Sequence, residues 1–344
     1  MSSASLCLLA TALALVAAGC RTTCPLSLWN DGAPAKKALI EYVAAVTDSR
    51  SPDFVPVQDR IAVFDLDGTL LCETAPSYFF WQLFEHRVLD DKSFTPDENQ
   101  RTSARNARAK GICPSLTEDR GRMVSAAYRG MTPEMFDAYV HAFMEEPQPG
   151  FSGMKRGEAF YRPMVEVVEF LVQNGFTVYV ISGSNRLIVR ALVKRSLPLL
   201  PARQLIGSDS GFAASGQGDT HPLDYTFRKG DKAILSGRFL SQCIQMNKVS
   251  AIVREIGDKP LLAFGNSMTD ASMINYTING NRYRALGFMV CCDDLEREYG
   301  NAEKAAKMRD ASSKYGWVPI SMRDDWKTIY GDGVKRLTLP VPAR

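Results

Sequence analysis

Three nearly unbroken apolar runs punctuate an otherwise amphipathic chain: Ile61-Ala62-Val63-Phe64, Phe176-Thr177-Val178-Tyr179-Val180-Ile181 and Pro260-Leu261-Leu262-Ala263-Phe264. Runs this short, apolar on both faces, predict buried strands of a parallel sheet. Helical spacing fills the intervals. Leu39, Tyr42, Val43 and Val46 make one face; Met164, Val167, Val168 and Leu171 make another, opened by Pro163 and stopped at Asn174-Gly175. Leu187, Ile188, Ala191 and Leu192 follow the second run, and Val249, Ile252, Val253 and Ile256 precede the third. Ala75 to Glu158 is polar and helical without a strand-like run, and Thr132-Pro133-Glu134 starts a helix whose face is Phe136, Tyr139, Val140 and Phe143. Ile206 to Ser236 is Gly-rich and uneven, and reads as short strands or a flap. The layout predicts an α/β fold, a Rossmann-like parallel sheet interrupted by a helical insertion of about 80 residues.

The first twenty residues change the picture. Ala4 to Gly19 is uncharged and rich in Ala and Leu. It is shorter than the roughly 20 apolar residues a spanning helix needs and fits the core of a signal peptide. The run ends Val16-Ala17-Ala18-Gly19-Cys20, which resembles a bacterial lipoprotein cleavage box, although Ala17 stands where Leu is preferred and no Lys or Arg precedes the run. The expectation is an exported bacterial protein, periplasmic or tethered to a membrane surface by an acylated Cys20. The segments are then a lipoprotein-type signal at 1–20, a linker and helix at 21–57, the core at 58–75 and 160–330, the insertion at 76–159 and a tail at 331–344.

Composition narrows the function classes. The chain has 344 residues, 45% hydrophobic and 23% charged, as expected of a globular protein with a sizeable core. A net charge of +3 implies no field for nucleic acid. His86, His141 and His221 are too dispersed to build a zinc site with the cysteines. Cys24, Cys72, Cys113, Cys243, Cys291 and Cys292 remain after the signal; disulfides and buried thiols are both open. Oligomeric state is not legible.

Each predicted strand delivers polar residues at its carboxyl end, where α/β sheets bind ligands. They are Asp65-Leu66-Asp67-Gly68-Thr69, then Ser182-Gly183-Ser184, then Gly265-Asn266-Ser267-Met268-Thr269-Asp270, with Lys248 opening the helix before the third strand. The set suits phosphoryl transfer to or from a small phosphorylated substrate. Asp65 can attack phosphorus as a carboxylate nucleophile, and Asp67 can protonate the leaving oxygen and later activate water. Two carboxylates repel a phosphate dianion, so a hard cation belongs between them, and oxygen ligands favour Mg2+. The Ser182 hydroxyl and the Gly183 N–H can bind phosphate oxygens while Lys248 neutralises developing charge.

At these residues the chain resembles the haloacid dehalogenase superfamily, in its phosphatase branch. Phe64-Asp65-Leu66-Asp67-Gly68-Thr69-Leu70 matches the first motif, Ser182 the second, Lys248 the third and Gly265 to Asp270 the fourth. Lys232 is the rival for the third. The resemblance spans about residues 58 to 330 and implies an α/β core with a helical cap of the phosphoserine-phosphatase-like group, Mg2+ held by Asp65, Asp67, Asn266 and Asp270, and phosphomonoester hydrolysis through an aspartyl-phosphate. Tyr161-Arg162-Pro163-Met164, Gly316-Trp317 and Asp325-Trp326 look like an exported bacterial subgroup. Asn266 departs from the pattern, since most relatives carry Asp there. A phosphotransferase, or a surface lipoprotein that keeps the fold without turnover, are the alternatives.

Other features carry two readings each. Glu73 lies near where phosphoserine phosphatases keep an acid for the substrate amine, or it is a solvent-facing Glu. Arg101, Arg105, Arg108 and Lys110 make a basic stripe for anions or a solvated helix face. Tyr78, Phe79, Phe80, Trp81 and Phe84 pack the insertion or line a pocket.

Overall fold

The computed structural model describes residues 25–73, 78–110 and 117–338. The expected signal peptide and Cys20, with Cys24 and Cys113, lie outside them. Helix α1 (Pro34–Thr47) precedes strand β1 (Ile61–Phe64). Four helices come next: α2 (Phe79–Leu89), α3 (Glu98–Lys110), α4 (Glu118–Ala126) and α5 (Pro133–Met144). The two-residue strand β2 (Phe151–Ser152), α6 (Arg162–Gln173), β3 (Thr177–Asn185), α7 (Arg186–Ser196), β4 (Leu205–Ala214) and β5 (Ala233–Ser241) follow. The chain continues with α8 (Met246–Ala251), which runs into a π-helical turn at Ile252–Ile256, then β6 (Leu262–Gly265) and α9 (Ala271–Ile278). It ends with β7 (Leu286–Cys291), α10 (Ala302–Tyr315), β8 (Val318–Ser321) and β9 (Lys335–Arg336).

Seven strands form one sheet in the order β5-β4-β3-β1-β6-β7-β8. Every pairing in it is parallel except β4 with β5. β1 is buried along its whole length because both faces are covered by helices, which is why its sequence carries no polar alternation. From β1 the chain steps outward to β3, β4 and β5, then returns to β6 on the other side. The order therefore reverses at β1, and the carboxyl ends of β3, β1 and β6 lie side by side at this switch point. Phe64, Phe264 and Phe288 stack across β1, β6 and β7 at 4.2 and 4.7 Å, fixing the floor beneath those ends.

The elements drawn from periodicity are present with small differences. Ile206 to Ser236, expected as short strands or a flap, belongs to a long antiparallel hairpin. β4 and β5 run past the sheet and pack on the inserted helices: Gly130 N–H donates to the Leu235 carbonyl at 2.8 Å, Leu235 N–H to the Met131 carbonyl at 2.8 Å, and Gly121 lies against the Phe239 ring. The hairpin's glycines and exposed outer face hid its alternation. β2, inside a stretch expected to hold no strand, pairs with β9 of the tail.

Leu39, Tyr42, Val43 and Val46 of α1 are buried, and Trp29 seats its indole against Trp326 with Nε1 donating to the Pro163 carbonyl at 3.0 Å. The segment read as a linker and helix is thus packed on the core. Phe79, Phe80, Trp81 and Phe84 are buried in the insertion, the packing role among the two expected. Arg108 pairs with Asp90 at 2.6 Å and Arg101 with Glu98 at 3.7 Å, as on a solvated face. Cys72, Cys243, Cys291 and Cys292 are free and buried. No helix among the described residues is long and apolar enough to cross a membrane.

Candidate active site

The last residue of β1 is Phe64, so Asp65 is the first residue beyond the buried strand and its carboxylate emerges where the sheet ends. Lys248 reaches it from α8, with Nζ donating to Asp65 Oδ1 and to Asp270 Oδ1 at 2.6 Å each. Lys248 is 1% exposed, Asp65 6% and Asp270 0%, so this ion triplet is almost dry. Lys232, the rival lysine, sits before β5 and has no contact with the triplet. Asp270 Oδ2 accepts from the backbone N–H groups of Asn266 and Ser267 at 3.0 and 3.1 Å, closing the turn after β6. Both oxygens of Asp270 are therefore engaged.

Asp67 lies just beyond. Its Oδ2 accepts from Ser184 Oγ at 2.7 Å and Ser182 Oγ at 3.3 Å, whereas Oδ1 is buried without a hydrogen-bond partner. Ser182 Oγ also accepts from the Ser184 N–H at 3.0 Å. The second strand end thus meets Asp67 through two serines. Ser184, which carried no assigned role, makes the shorter contact. The Gly183 carbonyl accepts from Ser208 Oγ at 2.6 Å, and a Cβ at Gly183 would press 2.9 Å from Ile244.

The structure brings Asp65, Asp67, Ser182, Gly183, Lys248, Asn266 and Asp270 to one end of the sheet. Beside them it places Glu73 with partners that local patterning did not reveal. Glu73 is buried, accepting from Lys304 Nζ at 2.8 and 2.6 Å, Tyr78 hydroxyl at 2.8 Å and Asn266 Nδ2 at 2.9 Å. It is not a solvent-facing Glu. Lys304 gave no signal because it lies 231 residues from its partner.

Electrostatics follow from counting charges. Asp65, Asp67 and Asp270 share one ammonium. Burial, and then the charge of Asp270, push the Asp65 carboxyl up to about 8 against the pull of Lys248. Burial raises Asp67 to about 6, opposed by the Ser184 and Ser182 hydroxyls and helped by Glu73. Burial disfavours the charged Lys248, but Asp270 and Asp65 outweigh it and hold the amine protonated.

The donor set fits a hard divalent cation. Its atoms are oxygens, its carboxylates exceed its ammonium in charge, and Asp67 Oδ1 is left without a partner. Among the described residues no three acidic, His or Cys side chains are gathered in a metal-holding cluster.

The two aspartates after β1, the lysine from α8 and the turn after β6 belong to a hydrolase built on a doubly wound sheet. The haloacid dehalogenase-like hydrolase family profile matches residues 62–275, and the chain belongs to that family. No curated protein matches it. Among solved structures, a conserved protein of unknown function from Anaerococcus prevotii is 14% identical, with 83% of this chain and 91% of that chain covered and a TM-score of 0.51. A protein of unknown function from Bordetella pertussis is 15% identical over 76% and 97%, with a TM-score of 0.47. A phosphoserine phosphohydrolase-like protein from Francisella tularensis is 14% identical over 72% and 92%, with a TM-score of 0.40. At these identities, the likeness that reaches 0.5 speaks for the fold alone.

Proposed function

We propose that the protein is a Mg2+-dependent phosphomonoesterase that hydrolyses a small organic phosphate through an aspartyl-phosphate on Asp65. The observation that carries the reading is the dry contact of Lys248 with Asp65, two residues before a second, half-buried acid. Lys248 pins Oδ1, which leaves Oδ2 to attack phosphorus. The Oδ2–P bond forms as the bond from phosphorus to the leaving oxygen breaks, and Asp67 gives its proton to that oxygen. In the second half Asp67 takes a proton from water, the water oxygen bonds to phosphorus, and the Oδ2–P bond breaks to release phosphate. An acid whose carboxyl sits near 6 serves both directions close to neutrality. The hydroxyls of Ser182 and Ser184 hold Asp67 by one oxygen and leave the other for the proton.

Asp65, the Asp67 backbone carbonyl and the Asn266 amide oxygen are the groups with capacity to hold Mg2+, and Asp270 adds charge through the turn it closes. When bound, Mg2+ supplies positive charge that favours an ionised Asp65 and screens the phosphate. Ser182, Gly183 and Lys248 are assigned to the phosphate oxygens. The inserted helices, residues 76–159, are assigned to a cap that keeps water from the site. Export and anchoring through Cys20 rest on the Ala4–Gly19 pattern alone, and cell fractionation tests them.

The decisive experiment is a panel of phosphate esters assayed with Mg2+ and with chelator, for the wild type and Asp65→Asn. Phosphate release with Mg2+ that disappears in chelator and in the variant is expected, along with a beryllium fluoride adduct on Asp65. Turnover retained by folded Asp65→Asn would overturn the covalent mechanism.

A further inference from the structure

Glu73 and Asn266 meet across 193 residues of sequence, and every surrounding group fixes how they meet. The Glu73 carboxylate is flanked by the Lys304 ammonium, which touches both oxygens, and by the Tyr78 hydroxyl. An ionised carboxylate only accepts, so the Asn266 atom facing it is the amide nitrogen, and the amide oxygen is turned away from it. The main chain of Asn266 is tied separately, through its N–H to Asp270. Gly68 makes room for the pair. Its φ is +84°, and a Cβ there would fall 1.8 Å from Asn266 Nδ2 and 2.8 Å from Glu73 Oε2.

The same geometry favours an amide over an acid at position 266. With an acid at position 266, two carboxylates would stand where a 2.9 Å hydrogen bond now stands, and like charges at that distance disfavour each other's ionised form. The negative charge is instead carried by Glu73 and balanced by Lys304. With its oxygens taken by Lys304, Tyr78 and Asn266, Glu73 is not placed as a free receptor for a substrate amine.

We infer that Glu73 and Lys304 are positioning residues that hold the Asn266 amide with its oxygen turned away from Glu73, and that Glu73 bears the charge an acid at 266 would bear. The orientation stands on the contacts alone; its bearing on Mg2+ rests on the phosphatase reading above. Thermal melts in EDTA of wild type, E73Q, N266D and E73Q/N266D test the orientation without substrate or metal. N266D should lower Tm by several degrees, since two carboxylates then face each other. In the double variant the amide introduced at position 73 can donate to the carboxylate introduced at position 266 while its oxygen accepts from Lys304. The Tm of the double variant should therefore exceed the value that adding the two single losses gives. If N266D does not fold, a double variant that folds is the same result. Additive losses, or a double variant no better than N266D, would overturn the coupling. Calorimetric Mg2+ titration then addresses the metal: E73Q/N266D should bind on the order of tenfold more tightly than wild type, because the charge has moved onto the cation's own ligand. Equal affinity in the two would overturn the charge assignment. Absence of Mg2+ binding in every form would overturn the metal assignment in the proposed function and leave the melts to decide the orientation.

Discussion

Replacing Lys248 with Met tests the electrostatic centre of the site. Met keeps the unbranched stem and most of the volume, so packing changes little, while the one ammonium between Asp65 and Asp270 is lost. Both contacts are 2.6 Å and all three side chains are buried, so neither carboxylate can recover the interaction from water. Breaking a buried pair by removing one partner costs about 3–5 kcal/mol. For a chain of this size that is a fall of roughly 4–7 °C in Tm. The loss must also depend on pH. Without the ammonium, burial and the charge of Asp270 raise the folded-state Asp65 carboxyl beyond its wild-type value, already near 8. A group whose folded value is raised binds more protons folded than unfolded, so stability falls as pH rises from the ordinary carboxylate range to the raised value. Melts in EDTA at pH 5 and pH 8 should therefore show a large deficit at pH 8 and a smaller one at pH 5. A deficit under about 1 kcal/mol at pH 8, or the same deficit at both pH values, would refute the picture of two carboxylates held together by one charge.

Ser184→Ala removes the shorter hydrogen bond to ionised Asp67, so the Asp67 value should climb above 6 and the alkaline limb of kcat should move to higher pH; a pH–rate profile that superimposes on wild type would contradict this. Gly68→Ala forces an L side chain to a φ of +84°, a strain of about 1–2 kcal/mol, and drives a methyl into Asn266. It should lower both Tm and turnover, and a variant matching wild type in both would show that the loop moves freely. Glu298 is pushed from 4.5 up to about 7 by burial, although Tyr330 hydroxyl and Tyr299 N–H donate to it. Its ionisation should cost the wild type up to about 3 kcal/mol of stability as pH rises from 4.5 to 7. Glu298→Gln should lose less over that window, and parallel stability curves for the two proteins would contradict the shift.

How far the sequence reaches depends on how local each interaction is. A buried central strand needs four consecutive apolar residues, and two acids follow in the next three, so β1, Asp65 and Asp67 are legible together from one short segment. The helix faces of α6 and α7 are legible for the same reason, because 3.6-residue periodicity records burial within a few turns. The β4–β5 hairpin is not, since what covers one of its faces is an inserted helix some 80 or more residues upstream, and glycines within the strands mask the alternation. Ser184 was given no role in the sequence; it reaches Asp67 because β3 runs on to Asn185, beyond the end of β1. Glu73, Tyr78 and Lys304 form one network with Asn266 only because α10 brings Lys304 back to the end of β1. The sequence alone determined the sheet class, the family and the residues that gather at the sheet's carboxyl end, because each is written within a strand and the turn that follows. Which oxygen of each acid is tied, which is free, and how the Asn266 amide is turned are settled by contacts between distant segments, and no local pattern records those.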